Sequence, residues 1–167
     1  MAFLSSKKAS SSSSTHGRKY DVYISFRGEN NRQDFTNDLY EELRRKNIHV
    51  FRVDEELPEE EVIASELTMA IEESQYAIVI LSEKYADSKW CLDELVKIVE
   101  CRKKTGLTVL PVFYDVDPSH VQHQTGHLAI ALAKHEQDDT VNIEKMKKWK
   151  DALREVACLS GWHLNQR

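Results

Sequence analysis

Tyr76-Ala-Ile-Val-Ile-Leu81 and Thr108-Val-Leu-Pro-Val-Phe-Tyr114 decide the fold. Both are short, rich in β-branched and aromatic residues, and apolar at successive rather than alternate positions, the pattern of strands buried on both faces. Such strands need helices on each side. Leu92, Leu95, Val96 and Val99 stand at i, i+3, i+4, i+7 between the two runs, and Ile63, Leu67, Ala70 and Ile71 form another stripe ahead of the first. Further upstream, Tyr20-Asp-Val-Tyr-Ile-Ser-Phe26 and His49-Val-Phe-Arg52 read as two more strands. Phe35, Leu39 and Leu43 lie between them at i, i+4, i+8, with Asn47 where a helix end favours a left-handed residue. Downstream, Asp117-Pro118 reads as an N-cap followed by proline at the first helical position. Met146, Trp149, Leu153 and Val156 mark a last helix, and Gly161-Trp-His-Leu164 an edge strand. Strands alternating with helices predict an α/β fold. The units are too few for an eight-stranded barrel, so a flavodoxin-like doubly wound parallel sheet of order 2-1-3-4-5 is expected.

The 167 residues suffice for one domain. Residues 1–18 are of another composition: Ser10 to Ser14 are all serine, and no acid precedes Asp21. We expect a disordered Ser-rich leader there and a folded domain over 19–167. The formal charge of −5 becomes −9 on residues 20–167 once Lys7, Lys8, Arg18 and Lys19 are set aside, so no basic field is available for bulk nucleic acid. No apolar run approaches the ~20 residues of a bilayer span, and no membrane partner is expected. Cys91, Cys101 and Cys158 form no C-x-x-C pair, which fits a reducing cytoplasmic or nucleocytoplasmic location. Gly17, Gly28, Gly106, Gly126 and Gly161 stand too far apart for a Walker loop or a G-x-G-x-x-G turn.

Ligands of doubly wound sheets bind where neighbouring strands diverge at their carboxyl ends, here strands one and three. That rule brings Phe26-Arg-Gly28 beside the stretch from Ser82 to Glu94. Glu94 is placed in the first turn of the third helix, where a carboxylate serves either the helix dipole, a pair with Lys97, or chemistry. One carboxylate is enough for a substrate whose leaving group is already cationic, because no general acid is then needed. Arg27 and Arg32 flank Gly28 and suit a pyrophosphate or, equally, surface ion pairs with Glu29 or Asp34. Phe26 and Trp90 offer aromatic faces to a ligand or to the core. Asp115, Asp117, His120, His123 and His127 gather near a turn, but only His123 and His127 have helical ligand spacing, so no metal site is expected.

Four motifs in order carry a resemblance: Tyr20-Asp-Val-Tyr-Ile-Ser-Phe-Arg-Gly-Glu29, Ala70-Ile-Glu-Glu-Ser74, Ser88-Lys-Trp-Cys-Leu-Asp-Glu-Leu95 and Phe113-Tyr-Asp-Val-Asp-Pro-Ser119. From Lys19 to about Leu164 the chain resembles the Toll/interleukin receptor (TIR) domains of plant intracellular immune receptors. The resemblance implies a flavodoxin-like sheet and an NAD nucleosidase that works on assembly with other TIR domains, producing nucleotide signals for plant defence. By position it implies Glu94 as the catalytic residue, and Phe26, Arg27, Gly28, Arg32, Ser88 and Trp90 as residues of the NAD pocket. NAD would be the substrate, with no cofactor and no metal.

Three departures from the family pattern stand out. Its L-x-R-G-x-x-I loop aligns with Leu57-Pro-Glu-Glu-Glu-Val-Ile63, so Glu59 and Glu60 replace an arginine and a glycine. That reverses the Coulomb sign beside a dinucleotide and restricts the backbone. A Ser-His pair used for self-association aligns with Asn37-Asp38, where Asp38 would oppose its own copy. The family's last helix is expected to be missing. The alternative these departures favour is a non-catalytic interaction module that pairs with and modulates other TIR proteins, the acidic run Asp54 to Glu61 being its signature.

Overall fold

The computed structural model describes residues 18–27, 33–51 and 60–165, with only the backbone of 33–34 and 60–63. The leader up to residue 17, Gly28, Arg32 and the acidic stretch Asp54 to Glu59 lie outside the described residues. Arg18 lies within them, and its guanidinium donates to the carbonyls of Ser74 and Thr105 at 3.4 and 2.8 Å.

In chain order the elements are β1 (Tyr20–Ser25), α1 (Gln33–Arg45), β2 (Val50–Phe51), α2 (Glu60–Glu72), β3 (Ser74–Leu81), a 3-10 turn (Tyr85–Asp87), α3 (Lys89–Lys104), β4 (Thr108–Tyr114), α4 (Pro118–His123), α5 (His127–Glu136), α6 (Ile143–Ala157) and β5 (Trp162–Leu164). The strands pair in parallel in the predicted order, β2-β1-β3-β4-β5. Fold class and order therefore agree with the sequence reading. Boundaries shift: β1 stops before Phe26, and β3 starts two residues earlier than its apolar run, at Ser74. Helix α5 escaped the reading altogether.

The period-two alternation of the strands builds two apolar layers. Val22, Ile24, Ile80 and Val112 face Phe35, Leu39 and Leu43 of α1. Tyr23, Val79, Leu81 and Phe113 face the other way, onto Leu67 and Ile71 of α2, Leu92 and Leu95 of α3, and Trp149 and Leu153 of α6. Asn47 ends α1 with φ 63°, and the Asp117 carboxylate caps α4 by accepting the Ser119 N–H at 2.9 Å, both as the sequence predicts. His123 and His127 prove to sit on separate helices. Gln124 at φ 57° and Gly126 at φ 67° turn the chain between them, so the one helical ligand spacing of that cluster is lost.

Pro111 has no N–H to offer a neighbour, and β5 pairs with β4 only from the next residue on, Val112 with Trp162. Gly161 passes so close that a Cβ there would stand 2.2 Å from the Pro111 carbonyl oxygen and 2.7 Å from its ring. Backbone on one side and a rigid ring on the other leave no room to adjust. Gly161→Ala is expected to lower stability by about 1–3 kcal/mol through overpacking, visible as a lower Tm in thermal unfolding. An unchanged Tm would mean β5 docks less tightly than these distances require.

Candidate active site at the carboxyl ends of β1 and β3

Helix α3 begins at Lys89 because the Ser88 side chain caps it, its Oγ accepting the Cys91 N–H at 3.1 Å. Ser88 thus has a helix-starting task whatever else it touches. The cap places Glu94 at the sixth helical position, in the second turn rather than the first expected from sequence, and the first turn carries no acid. Dipole compensation falls off beyond that turn. The predicted Lys97 pairing also fails: Lys97 pairs with Glu72 at 2.7 Å, and the neighbouring Asp93 accepts the Trp149 indole N–H at 2.9 Å and meets Lys145 at 3.7 Å. Glu94 instead turns inward, under the end of β1.

There its Oε1 lies 2.8 Å from the Oγ of Ser25, the last residue of β1. Ser25 is itself fully buried, and its Oγ is 2.7 Å from the Tyr85 hydroxyl, which reaches the Cys91 carbonyl at 3.1 Å. Burial, the largest cause, pushes the Glu94 carboxyl up to about 7; the hydroxyls of Ser25 and Tyr23 pull it down, and the Asp93 charge adds to the rise. The Tyr23 hydroxyl lies near enough to act on this carboxyl, yet it makes no bond of good geometry and is buried without a hydrogen-bond partner. A carboxyl titrating near neutrality can hold either protonation state at working pH, the property that general acid–base or cation-stabilising chemistry needs. The neighbouring Cys91 thiol is pushed up to about 12, first by burial and then by Glu94, with Ser88 and Arg27 opposing. It is no nucleophile at neutral pH; its Sγ contacts the Phe26 carbonyl at 3.6 Å.

The structure brings some predicted site residues together and separates others. Trp90 lies one helical turn before Glu94 on α3 and is 42% exposed. Phe26 follows the opposite phase of β1 and packs with Val22 and Ile24 on the α1 side. It lines a cleft of about 420 Å³ with Arg27, Phe35, Ser82, Lys84 and Tyr114, closed also by the acids Glu83 and Asp115. Glu94, Ser88 and Trp90 are not among that cleft's lining residues. Arg27 belongs to both neighbourhoods, since it lines the cleft and also lowers the Cys91 thiol pKa. Sequence reasoning missed Ser25, Tyr85 and Tyr23. The signal available was β1's alternation, which puts residues 23 and 25 on the face opposite Phe26. Among the described residues no group of three or more His, Cys, Asp or Glu could hold a metal ion.

A five-stranded doubly wound parallel sheet with a half-buried, raised-pKa carboxylate beside the carboxyl end of β1 places the chain among the α/β domains whose ligands bind at strand carboxyl ends. Comparison with known proteins narrows this. The family model described as "TIR domain" matches residues 19–167. The disease resistance protein RPV1 of Vitis rotundifolia is 51% identical over 98% of this chain and 12% of its own length. The TMV resistance protein N of Nicotiana glutinosa is 50% identical over 90% of this chain and 13% of its own. Among solved structures, the TIR domains of the activated Roq1 resistosome directly recognising the pathogen effector XopQ match with a TM-score of 0.79 and 47% identity, covering 87% of this chain and 88% of that one. The chain belongs to the TIR domain family, and its relatives are plant disease resistance proteins. It spans about an eighth of the length of those curated relatives. No helix among the described residues is long and apolar enough to cross a membrane.

Proposed function

We propose that the chain hydrolyses NAD at the nicotinamide–ribose bond, as a signalling step in plant immunity. The observation that carries this reading is Glu94: a carboxyl held by Ser25 at the switch point, with burial raising it to about 7. In the reaction the C1′–N bond breaks and nicotinamide departs with the bonding pair, which neutralises its ring nitrogen. The ribose is left as an oxocarbenium ion. An ionised Glu94 stabilises that cation and engages the ribose hydroxyls, then water adds to C1′ and its proton leaves to solvent. The positive nicotinamide ring also draws Glu94 toward its ionised form on binding. Arg27 lines the cleft and acts on the Cys91 thiol near Glu94, which supports its assignment to the pyrophosphate; Arg32 and Gly28 are assigned with it from the sequence, as are Ser88 and Trp90 at the nicotinamide end. Assembly with other TIR domains is the arrangement in which activity is expected, and likeness to the TIR domains of the Roq1 resistosome supports it. The place of action is cytoplasmic or nucleocytoplasmic.

The test compares nicotinamide release by concentrated chain with that by Glu94→Ala under the same conditions. Release by the parent that disappears in Glu94→Ala supports the hydrolase. Silence from both at the highest concentration overturns it in favour of a non-catalytic module that pairs with other TIR proteins.

A further inference from the structure

We propose that Ser25 and Tyr85 are a positioning pair for Glu94, two hydroxyls in series whose donor direction reverses with the proton on Glu94. The inference rests on Glu94 being the residue that meets the sugar. Three links run in line: Glu94 Oε1 to Ser25 Oγ at 2.8 Å, Ser25 Oγ to Tyr85 Oη at 2.7 Å, and Tyr85 Oη to the Cys91 carbonyl at 3.1 Å. Each link needs one proton between its oxygens, each hydroxyl owns one, and the carbonyl owns none. With Glu94 ionised, two protons serve three links. Ser25 then donates to the carboxylate, Tyr85 donates to Ser25, and the Cys91 carbonyl loses its hydroxyl donor. With Glu94 protonated, three protons serve three links, and every donor points the other way: Glu94 to Ser25, Ser25 to Tyr85, Tyr85 to Cys91. Ser25 and Tyr85 are 0% and 1% exposed, so bulk water does not reach their hydroxyls to complete a missing link.

The consequence concerns aim as well as charge. Ser25 holds Oε1 in both states, which leaves Oε2 as the oxygen able to turn toward a ribose. Among the described residues, the neighbours that act on these groups are Tyr23 from β1, Cys91 and Asp93 from α3, and Arg27 beyond β1, which acts on Cys91. Tyr23 and Tyr85 are both held well above the ordinary tyrosine range, first by burial, so neither ionises in the window where Glu94 does. Among these described groups, the proton that enters or leaves near neutrality is that of Glu94.

The experiment follows the ¹³C signals of the Glu94 carboxyl and the Tyr85 ring carbon bearing oxygen in the full chain, through the pH range around 7. The Tyr85 signal is expected to move with the same midpoint as Glu94. A Tyr85 signal that stays flat in the unaltered chain overturns the proposal without any variant. In Ser25→Ala, with amide dispersion confirming the fold, the Glu94 midpoint is expected to rise and the Tyr85 response to be lost; Ser25→Thr, which keeps the hydroxyl, is expected to restore both. A Tyr85 signal that still tracks Glu94 undiminished in Ser25→Ala overturns it. The titration needs no NAD, so it is separable from the hydrolase reading. Coupled titration with no nicotinamide release leaves the hydroxyl chain standing and removes the reaction. Release whose acidic limb does not move to higher pH in Ser25→Ala removes the positioning role and leaves the reaction.

Discussion

Glu94→Gln is expected to be more stable than the parent above pH 7 and equal to it in acid, where both states of the parent carry the proton. The ordinary glutamate value is 4.5, and in the folded chain it is raised to about 7. Between those values the folded chain retains a proton that the unfolded chain has released. Stability rises with pH only where the unfolded state binds more protons, so here it falls as pH rises through the window. The accumulated loss approaches about 3 kcal/mol, since one unit of difference corresponds to ~1.4 kcal/mol. Glutamine keeps the size and can still accept from Ser25, but never ionises. Asp117, Asp138 and Asp151 have their carboxyls lowered by hydrogen bonds from Ser119, Lys89 and Lys147 respectively, so their contributions vanish on the acid side and leave this window clear. Denaturant unfolding at a series of pH values checks the expectation. Parallel stability curves for parent and variant across neutrality would show that Glu94 is not held in the raised state, and the candidate site would lose its distinguishing property. Curves that diverge in the expected direction would mean that the site is retained against stability, a conflict that functional sites commonly embody.

The sheet was legible because burial on both faces leaves a compositional trace: Tyr76–Leu81 and Thr108–Tyr114 admit little but Val, Ile, Leu and aromatics. Helix α5 was not. His127, Leu128 and Ile130 mix polar and apolar residues on one turn, and its buried face, Ala131, Leu132 and His135, includes a histidine that satisfies itself on the Ala86 carbonyl at 2.8 Å. The place of Glu94 depended on where α3 starts. Placing Glu94 in the first turn assumes a later beginning, whereas the Ser88 cap fixes an earlier one, and a shift of that size decides whether a carboxylate faces a dipole or the interior. Ser25 and Tyr85 lay hidden for a different reason. Their importance comes from contacts across 60 and 69 positions of sequence, to each other and to Glu94, which no local pattern encodes. Phe26 was legible as an aromatic at the right strand end, but strand phase sends it to the α1 side, into the cleft with Lys84 and Tyr114.

Trp149→Ala is expected to cost about 3–5 kcal/mol, the range for emptying a fully buried tryptophan site, and Trp149→Phe about 1–3 kcal/mol for the smaller cavity and the lost contact together. Trp149 heads the fully buried side chains by volume and joins three elements. From α6 its indole N–H reaches Asp93 of α3 at 2.9 Å; its ring meets His135 of α5 edge-on at 5.3 Å; and His135 in turn holds the Ala86 carbonyl, one residue from Tyr85. Lys145 lies 5.8 Å from the ring centroid and 3.7 Å from Asp93, so it remains to balance that charge in part. Trp149→Phe removes the indole N–H together with part of the buried ring, so its stability cost combines the bond to Asp93 with a cavity. Asp93 already raises the Glu94 carboxyl, and losing a donor leaves more of its negative charge to act there, so Trp149→Phe is expected to move the Glu94 midpoint further up. The stability loss then reports packing and bond together, and the Glu94 midpoint reports the electrostatics alone. A stability loss with the Glu94 midpoint unmoved would confine Trp149 to the core, whereas movement of both would make the α3–α6 contact part of the device that sets the charge of the candidate catalytic carboxylate.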